Sequence, residues 1–130
     1  MKSVPKVGTS NEVTFTVEPQ HTIGFAGDGM PAVLSTPTII QILERTARHS
    51  LLPFLDPDER SVGIEVEIRH LAPAPVGSTV TCATRVVRAD GREIIFHVEA
   101  RDASEILARG AHKRHIIRVE RFNKRVQEKA

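Results

Sequence analysis

A single stretch of this chain reads as a long helix, and almost everything else reads as strand. That imbalance restricts the possible folds more than any other feature. Thr36-Pro37 opens the helix: a hydroxyl at a capping position, then a proline in the first turn, where its missing N–H leaves no bond unmade. Pro53 stops it, so the spacing predicts a helix from Thr36 to about Leu52. On a helical wheel Ile39, Ile40, Leu43, Ala47 and Leu51 fill one arc, with Gln41, Arg45 and Arg48 opposite. Ile42 and Leu52 fall off that stripe, so the helix is apolar on more than one side. Glu44 sits at the margin of the apolar arc.

The strands follow from period-two alternation. Glu12–Val17 puts Val13, Phe15 and Val17 on one face. Residues 18–35 form a long irregular segment, read as a loop or lid because loops of that length in a small domain tend to serve function. Ser61–His70 alternates, with Val62, Ile64, Val66 and Ile68 on one face and His70 ending that parity. Thr79–Arg88 is a further strand, Ala89-Asp90-Gly91 a hairpin turn, Glu93–Arg101 the next strand and Ile106 to about Arg118 the last. Val119, Phe122 and Val126 mark a short amphipathic segment within the basic tail, 119–130. One helix cannot cover both faces of such a sheet. The expected fold is α+β: a curved antiparallel sheet of about five strands wrapped around one long central helix, in a single domain over 1–130. A second copy would hide what the helix leaves open, so at least a homodimer is expected.

Composition removes several function classes. No apolar run spans a bilayer, and Met1–Lys6 lacks the apolar core of a secretory signal, so no membrane partner and a cytoplasmic location are expected. The one cysteine, Cys82, shares the parity of Val80 and Val86 and reads as core; it rules out a disulfide framework and a multi-cysteine zinc site. His112 and His115, three apart on a strand, face opposite ways and make a poor metal pair. Residues 109–130 hold eight basic side chains against Glu120 and Glu128, while the other 108 residues carry ten basic and fourteen acidic groups. That cationic edge suits an anionic ligand, such as a phosphorylated cofactor like coenzyme A. The lack of Trp and Tyr weighs against nucleic acid.

Three side chains carry the candidate chemistry. Glu44 would have its pKa raised by burial, which suits a base or nucleophile. His70 ends an apolar strand face before a proline-rich turn, and Thr36 stands at a helix N-terminus. Carboxylate, imidazole and hydroxyl are the parts of an acyl-transfer site, and the first-turn N–H groups of Thr38, Ile39 and Ile40 are positioned to hold an oxyanion. Each also has a purely structural reading: a surface glutamate, a core histidine, a cap.

The element order resembles the hot-dog fold, and the spacing Ser35-Thr36, Glu44, Gly63, His70, with Phe122-Asn123-Lys124 near the end, resembles the fluoroacetyl-CoA thioesterase branch, from Val13 to Val126. The resemblance implies hydrolysis of an acyl-CoA thioester by a dimer, without metal or other cofactor. It implies Thr36, Glu44 and His70 as catalytic residues and Gly63 on the oxyanion side. Pro37 stands where the family has glycine, and Met30 and Gly27 stand where its gating phenylalanines fall, with Ile23 and Phe25 as alternative lid residues. A small acyl group is therefore expected rather than fluoroacetyl in particular. Ala26–Pro31 also resembles the loop of hot-dog enoyl-CoA hydratases, but Met30 and Val33 replace the asparagine and histidine those enzymes need. A non-catalytic acyl-CoA-binding module is the other alternative.

In the expected mechanism Glu44 attacks the thioester or activates water, His70 orients or protonates, Thr36 donates a hydrogen bond, and Arg114, Arg118 and Lys124 meet the phosphates of CoA. Eight residues of helix rise about 12 Å. Thr36 and Glu44 therefore meet only across two subunits or through an unwound first turn.

Overall fold

The computed structural model describes residues 1–23 and 28–130. The strands are β1 (Ser10–Thr16), β2 (Glu59–His70), β3 (Thr79–Asp90), β4 (Glu93–Arg101) and β5 (Ile106–Arg118); the helices are α1 (Thr36–Leu51) and α2 (Val119–Lys129). The strands form one antiparallel sheet in the order β1-β3-β4-β5-β2. It packs around α1, the arrangement expected from one helix and five strands.

Helix α1 buries Ile39, Leu43, Ala47 and Leu51, one residue per turn on the side facing the sheet. Its cap differs from the expected one. Ser35, not Thr36, is the N-cap: its Oγ accepts from the Thr38 N–H at 3.3 Å. Thr36 is the first helical residue, and its hydroxyl is left for another partner. Pro53 ends the helix inside a 3₁₀ turn over Leu52–Phe54.

The central strands follow the sequence closely. Burial alternates strictly along β4, with Ile94, Phe96, Val98 and Ala100 inside. On β3, Val80, Cys82 and Val86 lie against them, fully buried. Burial pushes the Cys82 thiol up to about 12. The hairpin turns one position later than expected, at Gly91-Arg92, because Asp90 still pairs with Glu93.

Edge strand β2 departs from simple alternation. A β-bulge between Gly63 and Glu65 shifts its register against β5. Val62 pairs with His115 and Val66 with His112, and those two positions face opposite ways. The four residues expected on one face therefore divide between two. Before the bulge, Glu59 and Ser61 point inward and are buried. The Met1 ammonium, the Asp56 N–H and Arg92 surround the Glu59 carboxylate and hold its pKa down at about 2. Beyond the bulge, Ile64 is 52% exposed and Val66 37% exposed. At Gly110 on β5 a side chain would overlap the Glu67 carbonyl, so only glycine lets the two strands close here. Among the described residues no helix is long and apolar enough to cross a membrane.

Candidate active site

Relieved of capping by Ser35, Thr36 turns its hydroxyl toward β2. Its Oγ1 lies 2.7 Å from Nδ1 of His70, the last residue of that strand. Both side chains are half-buried. A hydroxyl bonded to an imidazole, at the start of a helix whose dipole favours negative charge, has the parts that acyl transfer requires.

Two turns further along α1, Glu44 belongs to a second cluster. Its carboxylate is half-exposed, and Oε2 stands 3.7 Å from the Arg114 guanidinium. Gly63 lies directly beneath; a methyl group there would overlap Oε2 and come within 3.1 Å of the His112 ring. Arg114 is buried and held on three sides. Nε donates to Ser61 Oγ at 2.8 Å, one terminal nitrogen to the Ser61 carbonyl at 2.9 Å, and the other to His112 Nε2 at 3.1 Å. His112 Nδ1 donates in turn to the Glu65 carbonyl, which the bulge turns inward, at 2.9 Å. Those bonds fix His112 as the neutral Nδ1–H tautomer. Its pKa is lowered, first by burial and then by the Arg114 cation. Burial likewise lowers that of Arg114, against the pull of Glu44. A small cavity of about 280 Å³ opens beside Glu44 and Arg114, lined also by Gln41, Arg45 and Arg48.

Residues 17–120 match the model of the fluoroacetyl-CoA-specific thioesterase family. The chain belongs to that family. The curated fluoroacetyl-CoA thioesterase of Streptantibioticus cattleyicolor is 30% identical over 137 aligned positions, covering 99% of this chain and 97% of that protein. A solved variant of a fluoroacetyl-CoA-specific thioesterase, in complex with fluoroacetate and CoA, matches at 29% identity with a TM-score of 0.84, over 92% of this chain and all of that one. A hot-dog-like protein from Thermanaerovibrio acidaminovorans matches at 27% identity and a TM-score of 0.88, over 95% and 91% of the two chains. As a member of the fluoroacetyl-CoA-specific thioesterase family the chain is an enzyme, a thioesterase, on the hot-dog fold.

The expected site residues of this family member fall into two groups. Thr36 and His70 are brought together. Glu44 and Gly63 are brought together elsewhere: α1 is continuous from Thr36, so about 12 Å of rise separates Thr36 from Glu44. Gly63 stands seven residues before His70 on β2, about 23 Å of strand. An unwound first turn is thereby excluded as the link between the groups.

Other expectations are corrected. The Thr38 and Ile39 amides, expected to face an oxyanion, are taken by the Ser35 hydroxyl and carbonyl. Arg114, expected at the phosphates, is buried beneath Glu44, because β5 turns its even-numbered residues His112, Arg114 and Ile116 toward the helix. Arg118 and Lys124 do lie on an open cationic groove beside α2. Of the lid residues, Ile23 and Met30 are exposed, and Phe25 lies outside the described residues. Ser61 and His112 went unrecognised as site residues. The signal was present: His112 and Arg114 share the parity of apolar Ile116, and polar side chains on a core parity need partners.

Proposed function

We propose that this thioesterase hydrolyses a small acyl-CoA to the free acid and CoA, at two equivalent sites shared across a homodimer. The contact that carries the reading is Thr36 Oγ1 to His70 Nδ1, 2.7 Å. His70 accepts the hydroxyl proton as Oγ1 attacks the thioester carbonyl. The carbon–sulfur bond breaks, and His70 passes that proton to the departing CoA sulfur. Water, deprotonated by His70, then attacks the acyl-threonine and releases the acid with the hydroxyl restored.

The dimer reading rests on β2. This edge strand leaves Ile64 and Val66 exposed, although both continue an apolar pattern, and Leu71 just past its end is exposed as well. An uncovered apolar edge is an invitation to pairing. A second copy laid antiparallel along β2 covers it and sets the two α1 helices antiparallel. The partner subunit's Glu44 then approaches Thr36 and His70, where its carboxylate orients the hydrolytic water. The cavity of about 280 Å³ beside Glu44 and Arg114 favours a short acyl group over a long one.

Hydrolysis of a panel of short-chain acyl-CoAs, followed by release of free thiol, tests this. Thr36→Ala and His70→Ala are expected to abolish turnover of the preferred substrate. Near-wild-type rates in either variant refute the assignment.

A further inference from the structure

The cavity beside Glu44 offers a hydrocarbon nothing to pack against. Its volume is about 280 Å³, and every side chain that lines it is polar: Gln41, Glu44, Arg45 and Arg48 from α1, and Arg114 from β5. The four helix residues are spaced i, i+3, i+4 and i+7, so they form one stripe along α1. The other flank of the helix is different. There a cavity of about 400 Å³ lies against β1, with Val13, Phe15 and Ile42 in its wall. An apolar tail would be stabilised in that second cavity and not beside Glu44.

Charge around the Glu44 cavity does not balance. Three guanidinium groups face a single carboxylate. Glu44 and Arg48 stand in the i, i+4 order that favours an ion pair, yet they do not form one. The Glu44 carboxylate turns instead to Arg114, at 3.7 Å, and among the described residues neither Arg45 nor Arg48 has a carboxylate partner. Arg48 is close enough to act on Arg114, whose pKa is lowered by burial, raised by Glu44 and lowered again by the Arg48 cation. Arg48 lies in the last turn of α1, where a cation suits the helix dipole. That purpose explains neither Arg45, which precedes the last turn, nor a buried guanidinium facing the same opening. Arg114 has its nitrogens engaged and contributes charge, while the exposed Arg45 and Arg48 keep their donors for a ligand. An anion with a planar pair of acceptors matches such forks.

We infer that the acyl group cleaved by this thioesterase carries a second carboxylate, received by Arg45 and Arg48, so that the substrate is the CoA half-thioester of a short dicarboxylic acid. The inference rests on the shared-site hydrolase proposed above and names its substrate class. The Glu44 that orients the hydrolytic water brings Arg45 and Arg48 of the same chain to the acyl group. From Glu44 to Arg48 is one helical turn, about 6 Å of rise, a gap that the few methylenes of a short dicarboxylic acid cover. Hydrolysis leaves that far carboxylate unchanged: water oxygen replaces the CoA sulfur on the thioester carbon, and the products are the dicarboxylic acid and CoA.

Succinyl-CoA and butyryl-CoA test this on the intact protein, since they differ by a carboxylate in place of a methyl group. The wild type is expected to favour succinyl-CoA by about tenfold or more in kcat/KM, and added salt should shrink that ratio. In Arg45→Gln/Arg48→Gln the ratio is expected to fall about tenfold, chiefly through KM for succinyl-CoA. Both positions are exposed, so the variant reports on recognition rather than on folding. A wild type that prefers butyryl-CoA overturns the inference and leaves the hydrolase reading intact. Equal loss on both thioesters in the variant also overturns it, by assigning the two cations to the CoA moiety. So does dissociation of the variant into monomers in sedimentation, which would assign them to the contact between copies. A protein that cleaves neither thioester sinks the hydrolase reading. The carboxylate site is then judged by binding of analogues in which a methylene replaces the thioester sulfur: a succinyl preference lost in the variant upholds it, and equal affinities overturn it.

Discussion

Two stretches of α1, its first turn and its middle, solve opposite problems. At the first turn, Thr36 and His70 share one hydrogen bond and are half open to solvent. Two turns on, Arg114 is locked by Ser61 and His112, and Glu44 rests against it. The first cluster spends few bonds on its own order and keeps a proton ready to move. The second is over-determined: every nitrogen of a buried guanidinium is engaged before any ligand arrives. The contrast separates the groups proposed to react from a rigid polar wall built around Arg114. Changes at the first stretch should act on rate, and changes at the second on stability.

The largest expected effect is at the reactive stretch. His70→Ala is expected to lower kcat by about 10²-fold or more, with Thr36→Ala similar and Thr36→Ser partly active. Steady-state hydrolysis measures this, and thermal melts should show both proteins nearly as stable as the parent. Glu44→Gln should also lose about 10²-fold. Equal mixtures of His70→Ala and Glu44→Gln chains, unfolded and refolded together, should regain about a quarter of the wild-type rate, since half the dimers are mixed and each then holds one intact site. No recovery would place both groups of each site in one chain.

At the rigid stretch, Ser61→Ala removes an acceptor from a buried guanidinium and should cost about 1–3 kcal/mol of stability. A denaturant melt shifted by that amount, with KM changed more than kcat, keeps the two stretches distinct; an unshifted melt erases the distinction. The smallest effect is a pH dependence. His112 binds a proton less readily in the folded chain than in the unfolded one, so its contribution is complete above its ordinary value of 6.5 and is lost as pH falls below it. Glu59, held at about 2, adds a second loss as pH falls from 4.5 toward 2. Melts at pH 7 and pH 5 should differ in the parent and differ less in His112→Gln.

Much of the frame was readable from sequence because it obeys regular periods. Strand β4 and the apolar side of α1 keep their repeat from end to end, β5 keeps it from Ala108 onward, and the structure places their bounds where the pattern does. What escaped was irregular or shared. Adjacent hydroxyls at Ser35 and Thr36 both suit a cap, and only the fold decides which one is released for chemistry. The bulge after Gly63 inserts one residue without any change in composition, so the second half of β2 runs out of phase with the expected pattern. Arg114 reads as one more cation in a basic stretch until its strand parity is weighed against burial. Glu44 and His70 could be named from a resemblance, but one chain does not bring them together.

Cys82 has a consequence for a catalyst of this class. Every turnover liberates a thiol, and a reactive cysteine nearby would be exposed to mixed-disulfide capping under oxidising conditions. Here the sulfur is sealed beneath the sheet with its proton held to about pH 12, leaving no appreciable thiolate for exchange. The folded protein should therefore stay silent to thiol-detecting dyes, so that colour developed in such an assay reports released product rather than the enzyme itself.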